Sequence, residues 1–465
     1  MNLSALESKP RLLMKVGLQP EQGMRFQPTG FPDIGAAQYA APCLRDDGVE
    51  WVEMLLVESA QSVANHLEQS CLNETKEGWV EELEGLPYIC VKDAAGEALT
   101  NSIVEAHRIN SEYIIEAKIN ENSFKKVLAV ELKHSKRKPV DRPALIRTLF
   151  SRDPNSLLHG AFLEEIDGRY RVMRAVSGFV EALNARTAQS GGVKVNRIEP
   201  SLKGGKGNVV YQRTEFVASE ISAFFNIDLA LLRSYGRLLG TKDAAELLLA
   251  LALLKIQRFL SSGLRLRTAC HFAITEPLKA TNVEDFSLPS ESELLAGCRD
   301  LIQRCAEIGL FASPRVTEVI WSREVRNIII ALPEDAPEPI IPEDLELQIT
   351  FKKKMPNKPA TVEVSPDHGW GDVAELAEAM FPDHQQAREA AVAELSATRI
   401  EVQDDDIRPK IPKNLKAKIR WAKPKGNQAG EIWIAADIGM EAQELAEALF
   451  PSDDSGQNLV LKGLA

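Results

Sequence analysis

A chain of 465 residues, 44% hydrophobic and 26% charged, is long enough for two to four domains and has the balance of a soluble globular protein. Its longest apolar run, residues 244–256, carries Glu246 and Lys255 and falls short of the roughly 18 uncharged residues a membrane helix needs, so no membrane partner is expected. The net charge of −12 is uneven: from residue 333 onward 15 Lys and Arg face 25 Asp and Glu, leaving 40 against 42 before it. A near-neutral region of that size accommodates a basic groove for phosphate. Six scattered cysteines form no C-x-x-C pair, which argues against a disulfide framework and a zinc site. Reduced thiols and an N-terminal segment without a signal-peptide core point to a cytoplasmic location.

In chain order, residues 11–18 and 51–57 read as strands, and residues 59–68 as a helix behind the polar N-cap Ser59. Residues 113–118 and 128–133 fit a strand or the edge of a helix, and an apolar segment begins at Gly160. Residues 172–184, 218–225 and 243–259 have helical spacing. Residues 263–270 alternate, which predicts a strand with Arg265 and Arg267 on one face. The Pro- and acid-rich stretch 331–339 has linker composition, dividing the chain into residues 1–332 and an acidic tail.

The tail contains an internal repeat. Pro339-Ile-Ile-Pro-Glu-Asp-Leu-Glu-Leu-Gln-Ile-Thr-Phe matches the segment beginning at Pro409 with an offset of 70, and Ala374-Glu-Leu-Ala-Glu-Ala-Met-Phe-Pro matches the one beginning at Gln443 with an offset of 69. Each copy, 333–402 and 403–465, predicts strand, turn, strand and a short amphipathic helix stopped by proline. Two copies are too few for a solenoid and read as a duplicated small α+β module.

Four polar, uncharged residues gather at one helix start: Ser59, Gln61, Ser62 and, a turn later, Asn65. Free N–H groups and the positive dipole end suit a phosphate there, while plain capping of a core helix would use the same residues. The glycine/proline loop before it carries Arg25, Phe26 and Phe31, a cation among aromatic faces as single-stranded nucleic acid requires, though such Phe residues also plug cores. A basic run includes Lys133, Lys136, Arg137 and Arg152 and leads into Asn155; solvated surface and nucleic-acid groove both fit it. A second basic, glycine-rich element carries Lys194, Arg197 and Lys203. It lacks the G-K-[ST] ending of a nucleotide loop, so no nucleotide cofactor is expected. No catalytic motif or metal site stands out. Asp153 with His159 is the one candidate acid–base pair for RNA cleavage, and Asp-Pro-Asn is equally a natural turn.

Gln27-Pro-Thr-Gly-Phe-Pro-Asp-Ile-Gly-Ala, Leu56-Val-Glu-Ser-Ala-Gln-Ser-Val-Ala-Asn-His-Leu-Glu, Asp153-Pro-Asn-Ser-Leu-Leu-His-Gly, Gly192-Val-Lys-Val-Asn-Arg and Gly263-Leu-Arg-Leu-Arg-Thr occur in that order. Over residues 10–330 they resemble the backbone subunit of type I-G (formerly I-U) CRISPR effector complexes, of the RAMP superfamily. The resemblance implies an α+β fold: an RRM-like (ferredoxin-like) antiparallel sheet with inserted finger and thumb segments. It also implies a non-catalytic subunit that coats CRISPR RNA in several copies beside other effector subunits, and meets target DNA through the guide's base pairing. In such proteins a Ser-Ser-Gln-Ser-like turn touches guide phosphates. Ser59, Gln61 and Ser62 match it, while Asn65 and His66 stand where relatives often carry Lys or Arg. The acidic tail lies outside the resemblance, as a docking element or a mimic of nucleic-acid charge.

Overall fold

The computed structural model describes the chain except residues 1–2, 32, 46–47, 74–77, 94, 121, 202–206, 285, 323–326, 343–344, 346–347, 356–358, 366–371, 405, 426–427 and 465, and the side chains of residues 44 and 45. It divides into two compact units, Met1–Trp321 and Ser322–Ala465, both mixed α+β.

The first unit is organised by a seven-stranded antiparallel sheet in the order Arg265–Arg267, Cys270–Ala280, Leu12–Pro20, Glu220–Ile227, Val176–Leu183, Gly48–Glu58, Gln38–Arg45. In Leu12–Pro20 the buried residues Leu12, Met14, Val16 and Leu18 alternate with more exposed ones, as a strand with one covered face requires. Helix Ala60–Gln69 packs against Val176–Leu183 and against helix Lys242–Ser261. Lys242–Ser261 buries Leu247, Leu248, Leu251 and Leu254 on more than one side, as a helix sealed between layers does. A second, five-stranded sheet includes the parallel pair Tyr88–Lys92 and Val316–Ile320.

Two segments with helical spacing are strands. Residues 172–184 contain Val176–Leu183, whose burial alternates at every residue, and residues 218–225 are taken up by Glu220–Ile227. Pairing overrides the apolar count here. A Cβ on Gly178 would lie 2.6 Å from the Phe225 ring and 2.9 Å from the Phe224 carbonyl, so the backbones approach where only glycine fits. Between these two strands runs the antiparallel ribbon Arg186–Lys194 with Val209–Val217, mostly exposed on both faces.

In the second unit, Ile328–Ala331, Thr361–Val364 and Ile349–Lys352 form one sheet under helices Val373–Met380 and Gln385–Leu395. Thr398–Val402, Gly430–Ile434 and Ile419–Ala422 form another under Ala442–Leu449 and Asp454–Leu464. The pairing of Ile349 with Val364 recurs as Ile419 with Ile434. Ile328–Ala331 precedes the 331–339 stretch yet pairs with Thr361–Val364, so that stretch runs between strands of one sheet.

Candidate nucleic-acid interface

Ser59 ends the extended strand Gly48–Glu58, and its hydroxyl accepts from Ser62 N–H at 3.2 Å, fixing the start of helix Ala60–Gln69. Val63, Ala64 and Leu67 bury one face, which leaves Gln61 and Asn65, four residues apart, side by side in solvent. Gln61 Nε2 donates to Asn65 Oδ1 at 3.1 Å. Behind them stands Arg174, half-buried, donating to Ala60 O at 3.4 Å and to Gln61 Oε1. No carboxylate pairs with Arg174 among the described residues. Burial, then the neighbouring Arg108 guanidinium, lowers its pKa, with Glu68 acting against them. It remains a cation at neutral pH and lies at the positive end of a helix, a place where a negative ligand relieves the local field.

Beneath the helix lies a buried polar cluster. Arg108 and Glu68 make a two-pronged pair at 2.6 and 2.9 Å, with Arg108 also donating to Gly160 O at 3.3 Å. Asn155 Nδ2 donates to Glu68 at 3.1 Å. Asp153 is fully buried, capping Asn155 N–H at 3.1 Å and accepting from the Ser156 hydroxyl at 2.7 Å. Burial lifts its pKa to about 6, Ser156 opposing and Glu68 adding. Burial pushes His159 well below its ordinary value, aided by the charges of Lys255, Arg108 and Arg174.

These shifts have opposite signs in stability. A raised aspartate value stabilises the fold below about pH 4 and loses that contribution as pH rises through about 6, on the order of 2–3 kcal/mol. Buried neutral His159 contributes above its ordinary value near 6.5 and loses that as pH falls. Asp153→Asn is therefore expected to gain stability over the parent between pH 4 and 7, checked by denaturant unfolding at several pH values. A difference that does not change across that range would show the carboxyl to be already ionised.

The other sequence-predicted residues divide sharply. Phe26 is completely buried, bridging to Phe216 with its ring 5.7 Å from Phe272, so it is core and offers no stacking face; Phe31 is 39% exposed. Arg152 pairs with Glu131 at 2.5 Å and donates to Thr317 at 2.9 Å, and Asn155 is 1% exposed; both are structural. A register shift separates Arg265 from Arg267, so the two do not share an outward face. Arg265 is exposed, while Arg267 turns in to pair with buried Glu58 and to donate to Gln27 O and Val57 O at 3.2 and 3.0 Å. Arg25 is exposed but pairs with Glu215 at 3.5 Å, and Lys133 pairs with Asp141 at 3.3 Å. Lys136, Arg137, Lys194 and Arg197 are exposed without an ion-pair partner among the described residues. Lys203 lies outside the described residues.

Arg174 and Glu68 were not singled out from sequence. Glu68 had a readable signal: it sits four residues after Ala64 on the apolar face, where a carboxylate implies a buried counter-ion. Arg174 had none beyond being one cation between Val172 and Val176. A cleft of about 830 Å³ lies elsewhere, along Leu3–Glu7 and helices Leu229–Leu239 and Lys242–Ser261, and shares no residue with this site. All six cysteines are free thiols, and no cluster of metal-ligating side chains occurs among the described residues.

No curated protein matches the chain. Among solved structures, the chain is similar to one from a "CRISPR RNA-guided surveillance complex, pre-nicking", with 14% identity, 64% of this chain and 89% of that one covered, and a TM-score of 0.28. A second, from a "CRISPR RNA-guided surveillance complex", has 12% identity, coverage of 64% and 88%, and a TM-score of 0.19. TM-scores this low do not establish a shared fold. Residues 12–187 match the family described as CRISPR-associated protein GSU0053, a span that includes Ser59, Gln61, Asn65, the buried cluster and Arg174. The region carrying this site is thus similar to the CRISPR-associated GSU0053 family.

Proposed function

We propose that the chain is an RNA-binding backbone subunit of a type I-G CRISPR effector complex, holding guide RNA by its phosphates without cutting it. The match of residues 12–187 to a CRISPR-associated family, over the segment that holds the donor-rich helix start, carries this reading. Exposed Lys136, Arg137, Lys194 and Arg197 without ion-pair partners among the described residues support it. They give a local positive field despite the net charge of −12. The strand order Cys270–Ala280, Leu12–Pro20, Glu220–Ile227, Val176–Leu183, all antiparallel, is that of a βαββαβ sheet and supports an RRM-like core. The ribbon 186–217 supports an inserted finger or thumb, and the recurring strand and helix order of the second unit supports a duplicated module. In this reading several copies line one guide in the cytoplasm, beside other effector subunits, and target DNA is read by base pairing.

The alternative of a metal-assisted ribonuclease at Asp153 is disfavoured by its burial: both oxygens are engaged inside the protein. The full chain is expected to co-purify with RNA and to bind single-stranded RNA with a log–log salt slope of about −0.7 per phosphate neutralised. A chain free of RNA, with an affinity indifferent to salt, would falsify the proposal.

A further inference from the structure

The geometry assigns Arg174 as a positioning residue that turns Gln61 and Asn65 into a donor-only surface for the acceptor oxygens of an RNA backbone, an inference that rests on the function proposed above. A guanidinium has donors and no acceptor. Its bond to Gln61 Oε1 therefore fixes which end of that amide faces inward. The Gln61 amino group then points outward and donates to Asn65 Oδ1 at 3.1 Å, which fixes the second amide in turn. Both carbonyl oxygens accept a bond within the relay. What the exposed pair presents is the remaining Gln61 N–H and the Asn65 amino group. Phosphate oxygens only accept, so the relay matches their polarity along its whole length. An unanchored Gln61 would spend part of its time turned over, oxygen outward, repelling the same ligand.

Arg174 is itself held for this task. Its bond to Ala60 O ties it to the helix at 3.4 Å, and Gly160, in the left-handed region at φ +86°, lets it approach. A Cβ there would lie 3.3 Å from Arg174 Cγ and from its backbone nitrogen. Arg108 has all three of its nitrogens directed to Glu68 and Gly160 O, away from Gln61.

The test uses the full chain with ¹⁵N-labelled glutamine, and a single-stranded RNA oligonucleotide as probe. Without RNA, Arg174→Ala and Arg174→Met are expected to shift and broaden the Gln61 side-chain amide signals, which Gln61→Ala identifies. With RNA, Gln61→Ala and Arg174→Ala are each expected to weaken binding about tenfold, the scale of one charge-assisted hydrogen bond. The double variant should lose no more than either alone, because Arg174 acts through Gln61. Multiplying losses would make Arg174 an independent contact and overturn the assignment, as would Gln61 signals unmoved by either substitution. Should Arg174→Ala unfold the chain, Arg174→Met, which keeps the length of the side chain but no donor, carries both readouts. A parent chain without RNA affinity overturns the function proposed above, and with it the role in binding. The RNA-free spectra still show separately whether Arg174 orients Gln61.

Discussion

Glu68→Ala is expected to destabilise the first unit by about 3–5 kcal/mol, because it strands a buried guanidinium rather than deleting one bond. Arg108 loses both prongs at 2.6 and 2.9 Å, and Asn155 loses its acceptor. What remains is a cation 8% exposed, close to buried Lys255 and half-buried Arg174. Replacing both members, Glu68→Leu with Arg108→Met, should recover much of the loss, since two ions leave the interior together. Denaturant unfolding of the single and double variants checks this. A single variant within 1 kcal/mol of the parent would mean that water reaches the pair.

Ending the chain after Ala331 is expected to give an insoluble product, and ending it after Trp321 a folded one. Ile328 and Ile330 are 5% and 0% exposed because they lie in the core of the second unit, on a strand that pairs with Thr361–Val364. Without that partner the shorter tail presents an open apolar strand, a template for aggregation. Trp321 instead belongs to the first unit, its N–H bonded to Lys92 O at 2.8 Å and its ring 5.0 Å from Tyr113. Soluble yield and thermal unfolding of the two truncations decide the matter; equal solubility would show that Ile328–Ala331 does not need its sheet. The Trp321 form should bind RNA at least as well as the full chain, because most of the acidic charge has gone.

How far the sequence reached depended on whether the information was local. The strand from Leu12, the helix after Ser59 and the long helix from Lys242 were legible because period and cap agreed. Val176–Leu183 and Glu220–Ile227 were not, because their strand character comes from partners distant in sequence. Within the site, Ser59, Gln61 and Asn65 were legible as a cluster on one helix. Arg174 was not, since its meaning arises only where a remote strand entrance meets that helix. Phe26, Arg152, Asn155 and Arg267 looked like ligand contacts because composition cannot tell a basic or aromatic residue facing out from one paired or packed within.

The two tail repeats match in their cores but not where they touch. Glu394, from the last helix of the first repeat, takes Arg420 at 2.7 Å and Arg399 at 3.3 Å from the second, while Arg420 lies 3.7 Å over the Trp433 ring. The equivalent of Glu394, 69 residues on, is Gly463, and the equivalents of Arg399, Arg420 and Trp433, 70 residues back, are Ile329, Thr350 and Glu363. A Cβ on Gly463 would meet Ile400 at 2.7 Å, so the final helix has no room for a clasp. The joint is thus a tongue on one repeat and a socket on the other. Swapping the order of the repeats would separate the two halves of the joint. A third repeat joined after Leu464 would find nothing to grip.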